Sequence, residues 1–310
     1  MTSATRDRPG RAGSSGAAEA QRVAVIGYPL RHSISPAFQQ PAFDFLGLAV
    51  RYLARETRPD ELGAFLAEFR HPPWLGLNVT VPHKEPVASA TDRLSEEARL
   101  IGAVNTVQKD GRRVVGHNTD AVGFLRAMQD DTAYDPAGHA AVILGAGGAA
   151  RAAAVALLRA GVRHLSIANR TISRAQGLAD ALGNHFGSER VTAAPLDSDA
   201  LAVALRGASL LVNTTTVGMA HGPAADTAPL DPVLLDLLRP DGLAYDLVYN
   251  PTTTRLLHEA AARGLATLGG LPMLIYQGAA SFELWTGQTA PVELMLEHGR
   301  RAMAERGRET

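Results

Sequence analysis

The chain of 310 residues is 46% hydrophobic and 20% charged, which is typical of a globular protein with room for two domains. Its formal net charge of -1 gives no reason to expect binding to nucleic acid or to an anionic membrane surface. The absence of cysteine excludes disulfides, thiolate metal sites and cysteine nucleophiles, and it is consistent with a cytoplasmic location.

Residues 1–20 are rich in glycine, alanine, serine and arginine without a periodic apolar pattern, so we expect a disordered tail there. From residue 22 onward, short apolar strands alternate with helical patterns, and this order is typical of an α/β fold. The predicted elements of the first unit are strands over 22–27, 50–55 and 75–80, helices over 37–48 and 60–69, and a hairpin of 103–108 with 113–115 that turns at Asp110-Gly111.

A helix over 121–128 and a polar linker over 130–138 lead into a second unit. There an apolar strand over 140–144 runs into a glycine-rich turn and an alanine-rich helix that ends near residue 160. Further strands are predicted over 164–168, 209–213, 243–247 and 266–268, and this βαβ order is typical of a doubly wound nucleotide-binding sheet. Two final helices, over 273–285 and 292–305, are expected to return to the first unit.

The glycine-rich turn fits the dinucleotide-binding fingerprint at Gly145, Gly147 and Ala150, with alanine in the third place. Gly145 permits a tight turn, and Gly147 lets backbone amides approach a pyrophosphate. The helix that follows directs its positive N-terminus at the phosphates. An ordinary strand-to-helix turn is the alternative, but the position between a strand and a helix favours a nucleotide site.

The end of the next strand distinguishes between cofactors. An enzyme that uses NAD usually has an acidic residue there to bind the ribose diol. This chain instead has Asn169-Arg170-Thr171, followed by Arg174. Arginine can bind a phosphate through two hydrogen bonds, so the segment favours the 2′-phosphate of NADP over the alternative of solvated residues at a helix start.

Lys84 and Lys109 are the only lysines in a chain that has 30 basic residues of the lysine and arginine type. An arginine does not release its proton in a protein, whereas a lysine can be tuned to do so. Lys84 follows the apolar strand over 75–80, a context typical of a strand end that opens into a pocket. We therefore expect Lys84 to take part in proton transfer, the alternative being a solvated surface lysine.

Polar clusters stand beside other apolar segments. Ser33 and Ser35 precede the first helix, where Ser35 could also be the N-cap residue with Pro36 at the first helical position. Asn105-Thr106 and 118–120 (Asn-Thr-Asp) are two more such clusters, and each alone could be turn chemistry. The ten histidines lack the spacing of metal ligands, so we expect no metal site.

Taken together, these motifs closely resemble those of the shikimate dehydrogenase family, and the resemblance runs from about residue 22 to residue 297. One departure is Gln39-Gln40, where the family often has a His-Asn pair. The matching segments are 32–36 (HSISP), 78–84 (NVTVPHK), 102–106 (GAVNT), 118–120 (NTD), 145–149 (GAGGA), 169–171 (NRT) with Arg174, 213–219 (NTTTVGM), 245–251 (YDLVYNP) and 270–278 (GLPMLIYQG).

The resemblance implies an α/β fold of two domains. Residues 21–122 with 270–310 would form an N-terminal α/β substrate-binding and catalytic domain. Residues 123–269 would form an inserted Rossmann-like, doubly wound NADP domain, with the active site in the cleft between the two. The resemblance also leaves a homodimer open.

The resemblance further implies a role for each site residue. Lys84 and Asp120 would be the catalytic pair, and both would contact the substrate, a shikimate or 3-dehydroshikimate molecule. The other substrate-binding residues would be Ser33, Ser35, Thr80, Asn105, Tyr249 and Gln277. The residues that bind NADP(H) would be Gly145, Ala146, Gly147, Gly148, Ala149, Asn169, Arg170, Thr171 and Arg174, with Leu247, Gly270 and Met273 at the nicotinamide end.

The implied reaction is the reversible reduction of 3-dehydroshikimate to shikimate with NADPH, as part of chorismate and aromatic amino acid biosynthesis. Two alternatives stay open among enzymes: a quinate/shikimate dehydrogenase that uses NAD, and a related enzyme that acts on amino-shikimates. An alternative from another class is a non-catalytic NADP-sensing regulator on the same fold, because fold alone does not establish catalysis. A different amino-acid or folate dehydrogenase would leave the two serines and the Asn105/Asp120 arrangement unexplained.

Overall fold

A computed structural model describes residues 20–30, 33–196, 199–220 and 222–309. For residues 307–309 it describes the backbone alone. The predicted disordered tail lies outside the described residues except for Ala20. Arg31 and His32 of the HSISP segment also lie outside them. Within the described ranges, no helix is both long and apolar enough to cross a membrane.

The N-terminal part of the chain builds a mixed sheet of six strands in the order β2-β1-β3-β5-β6-β4. Strand β1 is parallel to its neighbours β2 and β3, while β5 is antiparallel to both β3 and β6. This register places Asn78 on β3 opposite Thr106 on β5. The strands are β1 Gln21–Gly27, β2 Val50–Glu56, β3 Trp74–Val79, β4 Arg93–Leu94, β5 Thr106–Asp110 and β6 Arg113–His117.

Helices cover both faces of this sheet, because the strands alternate buried apolar residues on the two sides. On one face, Phe65, Phe69 and Trp74 pack in one core cluster. On the other face, Phe38 and Phe43 pack in a cluster with apolar residues of the C-terminal helices. The helices of this part are α1 Ser35–Phe45, α2 Leu62–Phe69, α3 Lys84–Ala90, α4 Glu96–Ile101 and α5 Asp120–Thr132.

The second sheet contains six parallel strands in the order β12-β11-β10-β7-β8-β9, which is the doubly wound arrangement that the sequence predicts. Its four inner strands are mostly apolar and buried, because helices pack on both faces of a parallel sheet. Its elements are β7 Ala140–Leu144, α6 Gly148–Arg159, β8 His164–Asn169, α7 Ile172–Phe186, β9 Val191–Pro195, α8 Asp199–Leu205, β10 Leu210–Asn213, β11 Leu243–Asp246, α9 Arg255–Ala262 and β12 Ala266–Leu268, with 3-10 turns at Ser188–Arg190 and Pro232–Leu237.

The last two helices, α10 Gly270–Thr286 and α11 Val292–Glu309, return to the first sheet, as the sequence predicts. Helix α10 lies against α5 so closely that a Cβ atom on Gly123 would stand 2.6 Å from the backbone nitrogen of Gln277. Trp285 of α10 donates from its indole nitrogen to the carbonyl of Val107 on β5 across 2.9 Å. Helix α10 therefore joins α5 to the first sheet, while the predicted domain boundaries at 122 and 270 stay a prediction.

Several element predictions need correction. Helix α1 begins at Ser35 and ends at Phe45, because Gly47 takes a φ of +66° and the chain turns into β2. Ile34 is the N-cap residue and Ser35 is the first residue of the helix, so the alternative of Ser35 as an N-cap is wrong. Helix α5 continues to Thr132 and takes up the start of the predicted linker.

The hairpin strand β5 begins at Thr106 rather than at residue 103. Asn105 still bonds through its backbone to Val79 and His117, but Val104 leaves the ladder and donates its backbone N–H to the carbonyl of Lys84 across 2.9 Å. The two residues of the turn are Gly111 and Arg112, since Asp110 pairs with Arg113. Gly111 takes a φ of +61°, a conformation that glycine adopts without strain.

Candidate active site

A cleft of about 360 Å³ opens where the carboxyl ends of strands from both sheets meet α10. Its walls come from segments far apart in the chain, so tertiary structure alone brings them together. The cleft is lined by all eight residues predicted to bind the substrate: Ser33, Ser35, Thr80, Lys84, Asn105, Asp120, Tyr249 and Gln277.

Lys84 and Asp120 form an ion pair in this cleft. The Nζ atom of Lys84 donates to Oδ2 of Asp120 across 2.6 Å. The Lys84 side chain is 24% exposed and the Asp120 side chain 10% exposed, so the ammonium can reach a bound molecule while the carboxylate stays behind it. Lys84 is the first residue of α3, and the segment that carries it follows the end of β3 at Val79, where the strand opens into the cleft.

Asn105 fixes the other oxygen of Asp120. Its Nδ2 atom donates to Oδ1 of Asp120 across 2.7 Å and lies 3.3 Å from Oε1 of Gln277. Its Oδ1 atom accepts the backbone N–H of Thr119 across 2.8 Å, which sets the orientation of the amide. The carboxylate therefore has separate partners on its two oxygens, and its position does not depend on Lys84 alone.

Hydroxyl groups line another part of the cleft. The Oγ atoms of Ser33 and Ser35 lie 3.3 Å apart, and the Tyr249 side chain lines the same space. Burial raises the pKa of Tyr249, an effect that the positive charge of Arg306 opposes, so the phenol is neutral near pH 7 and can donate a hydrogen bond. This side can hold a carboxylate or hydroxyls of a small polar molecule.

The glycine-rich turn has the geometry of a phosphate cradle. Gly145 takes a φ of +109°, and a Cβ atom there would stand 2.5 Å from Oγ1 of Thr214. Gly147 is the N-cap residue of α6, and Gly148 is its first residue. A Cβ atom on either of these two glycines would meet no other atom within 4 Å, so the backbone is open to an approaching ligand. Ala146 lies within the turn between Gly145 and Gly147, and Ala149 lines the cleft itself.

The predicted 2′-phosphate segment follows β8 at the surface. Asn169 is half-buried and donates from Nδ2 to the carbonyl of Thr171 across 2.9 Å. Arg170, Thr171 and Arg174 are exposed, and neither guanidinium makes an ion pair with a described residue. These four residues do not line the cleft of the catalytic pair, as expected for groups that would contact the far end of a dinucleotide.

Leu247, Gly270 and Met273 join the two parts of the site, because they line the cleft beside the substrate residues. A Cβ atom on Gly270 would stand 2.2 Å from the carbonyl oxygen of Leu247, so only glycine permits this contact. The buried Asp246 carboxylate holds the loop: it accepts from Asn213 across 2.9 Å and from the backbone of Val248 across 3.0 Å.

The motif analysis gave no role to several residues of the site. Asn78 lines the cleft, and behind it lies a cluster of buried hydroxyls, Thr106, Thr119 and Ser281. A polar residue within the apolar strand β3 is a signal that could have identified Asn78. The family departure at Gln39 and Gln40 falls outside the cleft: Gln39 donates to the carbonyl of Gly278, and Gln40 accepts the backbone N–H of Tyr52. In the described part of the chain, no group of three or more acidic, histidine or cysteine side chains could hold a metal.

Comparisons with known proteins agree with this geometry. A family model of the shikimate dehydrogenase substrate binding domain matches residues 25–107. A model of the shikimate / quinate 5-dehydrogenase family matches residues 129–241, and a model of the shikimate 5'-dehydrogenase C-terminal domain matches residues 270–298. Together the three match part of each sheet, the whole of α10 and the start of α11.

Individual proteins match over nearly their whole length. The shikimate dehydrogenase (NADP(+)) of Methanopyrus kandleri is 47% identical over 280 residues, which are 90% of this chain and 95% of that protein. The Thermus thermophilus enzyme, solved with NADP(H) and shikimate, is 42% identical with a TM-score of 0.80 over 91% of this chain and 99% of that one. The Listeria monocytogenes enzyme, solved with shikimate and NAD, is 34% identical with a TM-score of 0.84 over 92% and 98% of the two chains. The chain therefore belongs to the shikimate dehydrogenase family.

Proposed function

We propose that this chain catalyses the reversible NADPH-dependent reduction of 3-dehydroshikimate to shikimate. The observation that carries the proposal is the 2.6 Å contact of Lys84 with Asp120 inside the cleft. The same cleft is lined by hydroxyl groups that would bind the substrate and by Leu247 and Gly270, which are in close contact. This cleft offers a proton donor, groups for a polyhydroxylated acid and a place for a nicotinamide within one small volume. The names of the relatives support the same reaction.

The residues of the second sheet fit NADP(H). Gly147 and Gly148 would bring backbone N–H groups to the pyrophosphate, since nothing stands where their Cβ atoms would be. Arg170 and Arg174 would bind the 2′-phosphate, and Leu247, Gly270 and Met273 would flank the nicotinamide end. When bound, NADP(H) supplies or accepts the hydride; the protein orients the reactants and manages a proton.

Lys84 would manage that proton. As the ketone of 3-dehydroshikimate is reduced, negative charge develops on its oxygen, and the Lys84 ammonium would stabilise this oxygen and donate a proton to it. In the reverse direction a neutral Lys84 would accept the hydroxyl proton of shikimate. Asp120 would orient Lys84 through their 2.6 Å contact and bind the reacting hydroxyl.

The remaining polar groups would hold the substrate on both sides of the reacting carbon. Ser33, Ser35 and Tyr249 form one group of hydroxyls and would bind the carboxylate of shikimate. Asn105, Thr80 and Gln277 lie along the wall toward the catalytic pair and would bind its hydroxyls. A homodimer and a cytoplasmic location stay predictions.

The reduction of NADP+ in the presence of shikimate, followed by the near-ultraviolet absorbance of NADPH, tests the proposal. Quinate replaces shikimate in one control and NAD+ replaces NADP+ in another. We expect kcat/KM to be highest for shikimate with NADP+. A comparable value for quinate or NAD+ would favour the broader quinate/shikimate group. Tight NADP+ binding without turnover of either substrate would contradict the proposal and favour a sensor.

A further inference from the structure

Buried polar side chains run from β2 to α10 behind the wall of the cleft. Tyr52 on β2 donates from its hydroxyl to Oδ1 of Asn78 on β3 across 2.6 Å. The other end of that amide, Nδ2 of Asn78, donates to Oγ of Ser281 on α10 across 3.0 Å. Three elements that are remote in sequence are therefore joined by two hydrogen bonds.

The same set of contacts continues to the catalytic carboxylate. The Oγ atom of Ser281 lies 2.7 Å from Oγ1 of Thr106, and Thr106 donates to Oδ1 of Asn105 across 3.0 Å. Nδ2 of Asn105 then donates to Oδ1 of Asp120 across 2.7 Å. We call the five residues Tyr52, Asn78, Ser281, Thr106 and Asn105 the polar chain.

The two amides in the polar chain point the same way. Oδ1 of Asn78 faces Tyr52 and its Nδ2 faces Ser281, while Oδ1 of Asn105 faces Thr106 and its Nδ2 faces Asp120. Thr106 donates to Asn105, while either hydroxyl can be the donor of the 2.7 Å contact between Thr106 and Ser281, which also lies 3.0 Å from the carbonyl of Gln277. Both amides therefore turn their oxygen toward the Tyr52 end of the polar chain and their nitrogen toward Asp120.

Three members of the polar chain are shielded from solvent and from the cleft. Tyr52 is 5% exposed, and Thr106 and Ser281 are fully buried. None of the three lines the cleft, so none can touch a substrate that is bound there. They can act on the reaction only through their neighbours, and the neighbours that line the cleft are Asn78, Asn105 and, for Tyr52, also Ser35.

The polar chain also reaches the serine hydroxyls of the cleft at its starting point. The hydroxyl of Ser35 is a hydrogen-bonding neighbour of Tyr52, where it opposes the rise in pKa that burial causes. Ser35 in turn lies 3.3 Å from Ser33. The polar chain thus connects the hydroxyls of Ser33 and Ser35 to the ion pair of Lys84 and Asp120.

We propose that Tyr52, Thr106 and Ser281 are positioning residues, which hold the amides of Asn78 and Asn105 in the orientation that presents Asp120 and Lys84 to the substrate. A buried amide rotates freely between its two orientations only if both satisfy its neighbours, and here only one does. Removing one hydroxyl would leave a buried group without its partner and weaken the hold on the neighbouring amide, a hold that the backbone N–H of Thr119 shares in the case of Asn105. The kinetic part of this proposal rests on the proposed function.

Two substitutions that remove a hydroxyl and keep the shape test the proposal: Tyr52→Phe and Thr106→Val. We expect each to lower kcat for shikimate oxidation by roughly 3- to 10-fold, the effect of one hydrogen bond, with the KM for NADP+ within about twofold of wild type. Thr106→Ser keeps the hydroxyl and should recover most of kcat. Both substitutions interrupt the same set of hydrogen bonds in the polar chain. The kcat of the double variant should therefore be at least about half the kcat of the slower single variant.

Tyr134→Phe is the matched control, since Tyr134 is also partly buried and its hydroxyl lies 2.8 Å from that of Ser209, beside the second sheet. It should leave kcat unchanged. The proposal would be overturned if Thr106→Ser lowered kcat as much as Thr106→Val. It would also be overturned if the two fold-losses in kcat of Tyr52→Phe and Thr106→Val multiplied in the double variant. Wild-type kcat in both Tyr52→Phe and Thr106→Val would overturn it as well.

A second measurement does not depend on activity. The chain has two lysines, so protein labelled with ¹³C-lysine gives two ε-methylene signals in a carbon–proton NMR spectrum. In Tyr52→Phe and Thr106→Val the Lys84 signal should move, while the Lys109 signal and both signals of Tyr134→Phe should not. If the wild-type protein does not oxidise shikimate, the proposed function fails. The positioning role of the polar chain is then tested by the shift of the Lys84 signal alone. An unmoved Lys84 signal in both variants would overturn the proposal.

Discussion

Lys84 and Asp120 are each the first residue of a helix, and their side chains meet across 2.6 Å although 36 positions separate them in the chain. Asp120 stands at the N-terminus of the 13-residue helix α5, where the helix dipole favours a carboxylate. It also accepts a hydrogen bond from Asn105. The carboxylate is therefore held by groups other than Lys84, and removing the lysine should leave the rest of the site in place.

Lys84→Ala should abolish proton transfer and retain binding. We expect kcat for shikimate oxidation to fall by about 10²- to 10⁴-fold, the usual contribution of a general acid or base. The dissociation constant of shikimate, measured by calorimetry with the NADP+ complex, should change far less than kcat.

Lys109→Ala is the matched control for Lys84→Ala. Lys109 lies at the surface, where its ammonium donates to the carbonyl of Arg70 across 3.1 Å, remote from the cleft. This variant should keep the kcat of wild type. A Lys84→Ala protein with kcat within a few-fold of wild type would remove Lys84 from the mechanism.

Arg170→Gln and Arg174→Gln should weaken NADP+ binding specifically. The two exposed guanidiniums would lose their hydrogen bonds to a 2′-phosphate, so we expect the KM for NADP+ to rise by about 10-fold per arginine. The KM for NAD+, which lacks that phosphate, should stay the same. Arg206→Gln removes an exposed arginine elsewhere in the second half of the chain and serves as the control for net charge. Equal changes in the KM values for NADP+ and NAD+ would show that the arginines do not recognise the 2′-phosphate.

Gly123→Ala should destabilise the contact of α5 with α10. Its Cβ atom would stand 2.6 Å from the nitrogen and 2.9 Å from the Cα atom of Gln277, so backbone must move. We expect a loss of about 1–3 kcal/mol in the free energy of unfolding, measured in urea, and a higher KM for shikimate because Gln277 lines the cleft. Gly177→Ala is the control: Gly177 also lies within a helix, a Cβ atom there meets nothing, and the change should stabilise by about 0.5–1 kcal/mol.

The residues that line the cleft could be predicted from the sequence because they stand in motifs. Ser33, Lys84 and Asp120 each occur beside other polar residues at the end of an apolar segment, so local pattern is enough to single them out. The alternation of strands and helices likewise predicted the doubly wound second sheet. Local pattern did not predict the short helices α3 and α4, of seven and six residues. Helices of that length are stabilised by tertiary contacts, so their sequences show little periodicity.

The polar chain could not be predicted in this way. Asn78 and Ser281 are 203 positions apart, and Ser281 stands in a largely apolar helix, where Glu283 has the only polar side chain within three positions of it. A single hydroxyl in such a helix most often bonds to its own backbone, as Ser281 also does with Gln277. The packing of α10 against the first sheet decides that this hydroxyl meets Thr106 and Asn78.

Acid should weaken the attachment of α2 to the edge of the first sheet. Arg70 donates to both oxygens of Asp92 across 2.9 Å, and the backbone of Val114 donates to the same carboxylate across 2.8 Å. Arg70 and then Val114 lower the pKa of Asp92 from 3.8 to about 2. A carboxyl with a lower pKa in the folded state stabilises the fold above its unfolded pKa, and this stability is lost as the pH falls through the folded pKa.

Asp92→Asn should therefore destabilise the protein at pH 6 by about 0.5–1 kcal/mol, a small value because the pair is partly exposed and screened by solvent. The difference between the variant and wild type, measured by urea unfolding, should shrink as the pH is lowered from about 4 towards 2. Arg70→Gln gives the matching test: in that background Asp92→Asn should have little further effect, because the charge pair is already absent. A difference that is constant with pH would mean that the carboxylate contributes through packing and not through its charge.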